Sequence, residues 1–267
     1  MNPAAQPPTD TADPAPKPSA WDVMFKAASN SELKLAMAAS GTILSLFTAG
    51  HMAGNMQVYL GRKHYNEYAE FIRTVGAPVL PRGSVLWVVR IGLLASATGH
   101  VMAGTELTLR AMRAERHTIR STIQDFALRP TGKQRKRPRG RRRSVPQIVA
   151  RSMRSTGVVV GLFTAYHVVD LTVGARPVAS RHHEHGDAHG NLVASLSRPS
   201  VAFFYIASMV ALAGHLIHGV RTAAMDTGFT TTAQRTQTVE VAAKVVGAVV
   251  ALGNVTIPVA VQTKVVR

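Results

Sequence analysis

Five histidines of this chain, His51, His100, His167, His215 and His218, lie inside long apolar stretches. A neutral imidazole can ligate a metal, relay a proton or hydrogen-bond across two helices, and each use directs a ring nitrogen at a definite partner. Polar groups at membrane depth are costly and are usually kept for function. A lone histidine of this kind is satisfied by one bond to a neighbouring helix. Four separate apolar segments carrying one or more point to a shared task.

The segments that position them run over about Leu35–Leu60, Val85–Leu109, Ser155–Val173, Val201–Ala224 and Val241–Val261. Each is close to the roughly 20 residues that carry a helix across about 30 Å of hydrocarbon. Gly, Ala, Ser and Thr recur in all of them, which lets helices approach closely. The expected fold is therefore all-α, a polytopic membrane protein built as a five-transmembrane-helix bundle. The first 32 residues, rich in Pro, Ala and Asp, lack the basic start and apolar run of a signal peptide. They are expected to form a disordered, uncleaved extension, ahead of a membrane domain over 33–264.

Charge is strongly segregated. The 267 residues carry 31 Lys and Arg against 14 Asp and Glu, a formal net charge of +17, and no cysteine. Lack of cysteine excludes disulfides, thiolate metal sites and Cys-ligated iron–sulfur clusters within the chain. The basic residues concentrate between the second and third segments, above all in RPTGKQRKRPRGRRR, which ends at Arg143. No aromatic residues interleave with this run and it lies between two spans, so no nucleic-acid partner is expected; membrane lipid or a docked subunit accounts for it. The positive-inside rule puts the basic loop, 113–150, in the cytoplasm. Alternation then places the N-terminus in the cytoplasm, with the loop 61–83, the His-rich loop 176–198 and the C-terminus outside.

This topology sorts the histidines by depth. His51 and His167 lie past the middle of outward-running segments, in the outer half. His100 and His215 lie just past the middle of inward-running segments, in the inner half. Two pairs at two depths result, each drawn from two helices, as bis-imidazole ligation of two haem irons requires. Small residues flank the rings in AGHMAGN, TGHVMAG and AGHLIHG and leave room for a flat macrocycle. His218, one turn beyond His215, is the alternative to it as a ligand. Proton relay in a transporter or channel is the competing use of the same rings.

The chain also resembles a family, through GHMAGN followed by NEYAEF, VLWVVRIGLL leading to GHVMAG, MRSTGVVVGLFTAYHVVDLT, and NLVASLSRPSVAFFYIASMVALAGHLIHGV. Together, in this order, they resemble the cytochrome b membrane-anchor subunit of succinate dehydrogenase and fumarate reductase, in its single-chain, five-helix, di-haem form. The resemblance covers about residues 33–264. It implies two haems b, the outer held by His51 and His167 and the inner by His100 and His215. It further implies electron transfer between an iron–sulfur subunit, paired with an FAD-containing flavoprotein subunit on the cytoplasmic side, and a quinone, usually menaquinone. The setting implied is a bacterial cytoplasmic membrane, and the chain itself binds no dicarboxylate. A di-haem cytochrome b of another quinone-linked dehydrogenase and a haem-free anchor are the nearest alternatives.

Other polar residues have weaker claims. Arg90 is positioned either to pair with propionates of the outer haem or to reach the outer interface. Glu70, in NEYAEF, is a candidate proton acceptor for quinone at the outer side. Asp170 and Glu106 lie near span ends, where a carboxylate orients a ligand, carries protons or is merely solvated. His182, His183, His185 and His189 with Glu184 and Asp187 form a loose metal-binding pattern matching no defined zinc spacing, which reads as a solvated loop.

Overall fold

The computed structural model describes residues 20–25, 27–127 and 145–267, and the arginine run near 129–143 lies outside them. Among the described residues there are helices and turns but no strand. Helix α1 spans Ala20–Phe25, α2 Asn30–Asn55, α3 Arg62–Thr74, α4 Ser84–Ala127 and α5 Val145–His167. Helix α6 spans Ala188–Leu196, α7 Pro199–Asp226 and α8 Ala233–Gln262. A 3₁₀ turn, Met56–Leu60, extends α2, and a π-helical turn, Val168–Val173, extends α5.

Among the described residues five helices are long and apolar enough to cross a membrane: those over Asn30–Leu60, Ser84–Thr118, Ser152–Val173, Pro199–Asp226 and Ala233–Gln262. Their apolar residues are largely left on the outside, with Leu46, Trp87, Ile91, Leu94, Leu162, Phe203, Val210 and Leu252 all exposed. In water this would be an aggregating surface; in lipid it is the expected one. Packing inside the bundle is instead between α7 and α8, α2 and α4, α2 and α7, and α5 and α7. Glycines set the closest approaches. A Cβ at Gly247 of α8 would fall 2.5 Å from Ile217 Cγ1 of α7, and one at Gly253 would fall 2.7 Å from Met52 Sδ of α2.

The helix ends have local causes. Ser29 caps α2 through a full capping box: its hydroxyl accepts from Glu32 N at 3.1 Å, and Glu32 Oε2 accepts from Ser29 N at 2.6 Å. Gly174, at φ 71°, closes the π turn, and the His183 ring packs so near it that a side chain there would collide.

Three stretches expected to be irregular are in part helical. Within the expected disordered extension over 1–32, Ala20–Phe25 forms α1 and α2 already begins at Asn30, while residues 1–19 lie outside the described part. The basic loop expected over 113–150 begins as a continuation of α4 to Ala127, because no Gly or Pro interrupts the chain between Gly104 and Pro130. The His-rich loop over 176–198 contains α6, whose N-cap is Asp187.

Asp187 ties this end of the bundle together. Its carboxylate accepts from Gly190 N (3.0 Å), Asn66 Nδ2 (2.8 Å) and Arg62 Nη2 (2.5 Å), joining α6 to α3. Burial works against the charged form, but the bonds from Asn66, Gly190 and Arg62 outweigh it and hold the carboxyl below its usual range. Nearby, burial pushes the Tyr65 phenol up to about 12 and lowers the affinity of His189 for a proton. Replacing Asp187 by Ala is expected to cost about 1–2 kcal/mol through the lost cap and charge-assisted bonds. Asp187→Asn, which keeps an acceptor for Gly190, should lose less. Because the folded-state pKa is depressed, this stabilisation is present above the unfolded value and fades as pH falls through the folded one. Thermal unfolding in detergent, followed by circular dichroism at neutral and acidic pH, checks both: the wild-type advantage over Asp187→Asn should shrink on acidification.

Candidate haem-binding site

Four helices each contribute one histidine to two facing ring pairs. His51 on α2 faces His167 at the end of α5, with ring centres 5.8 Å apart and planes at 84°. His100 on α4 faces His215 on α7, with ring centres 6.2 Å apart and planes at 68°. The second pair is level with Gly41 of α2, since a Cβ there would lie 3.1 Å from His100 Cε1. Ten residues of helix separate Gly41 from His51, so the pairs stand about 15 Å apart along the bundle. It is His215, not His218, whose ring meets His100.

What lies behind the rings is consistent. Ser40 Oγ is 3.2 Å from His100 Nδ1, and Thr156 Oγ1 is 3.4 Å from His215 Nδ1. Each hydroxyl donates its own proton to a backbone carbonyl one turn back, Ser40 to Ala36 O at 2.6 Å and Thr156 to Ser152 O at 2.9 Å. The oxygens are thus left to accept from Nδ1–H. His167 Nδ1 lies 3.3 Å from the Tyr205 hydroxyl, which donates to Asp170 Oδ2 at 3.2 Å. In all three histidines the proton belongs on Nδ1, and Nε2 keeps its lone pair for a metal.

Each hydroxyl of the His100–His215 pair is followed by a glycine that gives the facing ring its space. Gly41 follows Ser40 and faces His100; Gly157 follows Thr156, and a Cβ there would lie 3.3 Å from His215 Cε1. These two Ser/Thr-Gly dipeptides were not singled out in the sequence. The readable signal is a hydroxyl next to a glycine, repeated on two spans that carry histidines at another depth. Of the flanking glycines, Gly50 and Gly99 meet nothing within 4 Å where a Cβ would sit. Around the other pair, Phe47 stacks near His51 at 5.4 Å and Phe163 near His167 at 5.6 Å, each four residues earlier on the same helix face.

These residues fit a haem iron. Two imidazole nitrogens about 2 Å from a shared metal, each with its ring centre roughly 1 Å behind, put the ring centres roughly 6 Å apart. Both observed pairs meet that spacing.

The remaining sequence candidates are placed elsewhere. Arg90 is exposed, its guanidinium 5.1 Å over the Trp87 ring. Helices α2 and α4 are in register through Gly41 with His100 and Met37 with Gly104, which brings position 90 level with position 51. Glu70, half-buried on α3, forms an ion pair with Arg82 and does not meet the histidine rings. Glu106 is buried rather than solvated: it accepts from Trp21 Nε1 at 2.6 Å and from Arg110 Nε at 2.7 Å. Arg110 also donates to Phe25 O, Ala28 O and Asn30 Oδ1, so this cluster fastens the N-terminal segment to α4. Asp170 is fully buried. Among the described residues no three His, Asp or Glu side chains gather to hold a metal ion, the 182–189 cluster included. There His183 reaches Leu171 O, His189 is buried against Tyr65, and His182 and His185 are exposed.

Comparison with known proteins adds one finding. Residues 128–255 match the family described as the succinate dehydrogenase/fumarate reductase transmembrane subunit. The matched range takes in α5, α6, α7 and most of α8, and so contains His167 and His215, one member of each pair. No curated protein and no solved structure matches the chain. Residues 128–255 are thus similar to the membrane subunits of succinate dehydrogenase and fumarate reductase, and the five apolar spans among the described residues agree with that likeness.

Proposed function

We propose that the chain is the cytochrome b membrane anchor of a succinate:quinone oxidoreductase and holds two haems b, one between His51 and His167 and one between His100 and His215. The observation that carries this reading is the pair of facing imidazoles at two depths, contributed by four different helices. Bound there, two haems would supply single-electron transfer along the bundle between an iron–sulfur subunit and a quinone, menaquinone being the type the resemblance favours.

The chain's own residues do the positioning. Ser40 and Thr156 fix the tautomer of His100 and His215, while Gly41 and Gly157 leave those rings their place. In sequence the basic stretch joins α4 to α5 on the side of His100 and His215, and the positive-inside rule makes that side cytoplasmic in a bacterial inner membrane. An FAD flavoprotein subunit and its iron–sulfur partner would dock at that end, and dicarboxylate chemistry would stay with them. At the opposite end, Glu70, which pairs with Arg82, is proposed to accept a proton near a quinone. Arg90, level with His51, is the residue proposed to meet a haem carboxylate there.

A dithionite-reduced minus oxidised spectrum with a pyridine haemochrome count should give two haems b per purified chain. Each of His51→Ala, His100→Ala, His167→Ala and His215→Ala should lose one haem, and His218→Ala should keep both. A colourless wild-type chain would sink the reading and turn attention to ion transport. Gly41→Val should displace the His100 ring and remove or perturb one haem only. Gly92→Val, on an exposed face with nothing within 4 Å, should leave the spectrum of both haems unchanged.

A further inference from the structure

The two histidine pairs are supported by different chemistry. Behind His100 and His215 stand uncharged hydroxyls whose protons go to helix carbonyls. Behind His167 stands a network of four side chains gathered around one buried carboxylate. His167 Nδ1 lies 3.3 Å from the Tyr205 hydroxyl, and Tyr205 donates to Asp170 Oδ2. Ser195 donates to the same carboxylate oxygen. Arg198 Nη2 donates to Asp170 Oδ1 at 2.9 Å and to Ser195 Oγ at 3.0 Å, while its Nη1 donates to Val178 O at 2.8 Å. Asp170 is 0% exposed, and Tyr205 and Ser195 are buried with it.

Burying an ion pair rarely adds stability over well-packed apolar residues, because desolvation offsets the attraction. A carboxylate kept here at full burial, with every neighbour donating to it, needs another explanation. The π-helical turn supplies a clue: it starts immediately after His167 and carries Asp170 within it. Such turns are common at functional sites. Here it lets two residues three apart, His167 and Asp170, both meet the single hydroxyl of Tyr205.

Resting on the two-haem reading above, we propose that Tyr205, backed by the Asp170–Arg198 pair, is a positioning residue that holds His167 and lowers the reduction potential of the haem it ligates. The physical cause is polarisation along the chain. A phenol donating to a carboxylate becomes a better acceptor for the imidazole N–H. A stronger acceptor at Nδ1 makes Nε2 a better electron donor to iron, which stabilises the oxidised state. His100 and His215 are backed by neutral groups, Ser40 and the Met37 backbone for the one and Thr156 for the other, and lack this push, so one sequence builds two sites of unequal electron affinity.

The test is a redox titration of the purified chain, read by visible and low-temperature electron paramagnetic resonance spectra, for wild type, Tyr205→Phe and Asp170→Asn. Tyr205→Phe keeps the ring and removes the acceptor. Its expected result is an upward shift of one midpoint, with a moved low-spin ferric signal for that haem and the other haem unchanged. Asp170→Asn should shift the same midpoint upward by less, since the phenol stays. Loss of only the His51–His167 haem from Tyr205→Phe would also support the positioning role. If Asp170→Asn fails to insert, the Tyr205→Phe result decides alone. Two haems with wild-type midpoints and signals in Tyr205→Phe would overturn the inference while leaving the haem reading intact, and so would loss of both haems, which marks a purely structural role. A wild-type chain without haem would overturn the two-haem reading and this inference with it.

Discussion

A neutral imidazole at membrane depth must have its N–H satisfied, and the contacts between these helices are arranged around that requirement. Water is not available there to accept the proton, and an unpaired N–H costs as much as a lost hydrogen bond. Hydroxyls meet the need for three of the four rings. A hydroxyl accepts well only if its own proton already has a destination. Ser40 and Thr156 send theirs to carbonyls one turn back, and Tyr205 sends its own to Asp170. That arrangement dictates which helices must touch. Helix α2 has to present Ser40 to α4, α5 has to present Thr156 to α7, and α7 has to return Tyr205 to the end of α5.

Close helix approach is what makes those contacts possible, and small residues supply it. Gly41 and Gly157 act at the rings themselves, whereas Gly247 and Gly253 let α8 pack on α7 and α2 without contributing a histidine. Helix α8 is thus a scaffold that presses α7 and α2 together. Without a hydrophobic driving force between helices in lipid, such packing and the interhelical hydrogen bonds carry the association.

Charged groups gather toward the two ends of the bundle, and the buried ones are matched. Glu106 is held by Arg110 and Trp21 where the N-terminal segment folds back on α4. Asp170 is held by Arg198 at the opposite end, beside the α3–α6 junction organised by Asp187. The two ends nonetheless differ in what their charges touch. The Glu106 cluster joins helices to the N-terminal segment, while the Asp170 cluster runs through Tyr205 to a histidine. A bundle that treats its two imidazole pairs alike in spacing therefore treats them differently in electrostatics.

The amino-acid sequence by itself determined the five spans, the histidines within them and their sorting by depth. Span length, charge asymmetry and position along a helix are one-dimensional quantities, and hydropathy records them directly. Depth alone put position 51 with 167 and position 100 with 215, and those rings face each other in the bundle. The extent of α4 was legible too, in the absence of Gly and Pro after Gly104, but the density of charge masked it. Only the tertiary structure decided what each ring meets on its far side. Whether Asp170 and Glu106 are solvated or buried, whether Ser40 or another hydroxyl reaches His100, and which glycine makes room all depend on rotation about the helix axis. Rotation is set by how neighbouring helices pack, and a pattern read along one helix carries no record of its neighbour's face.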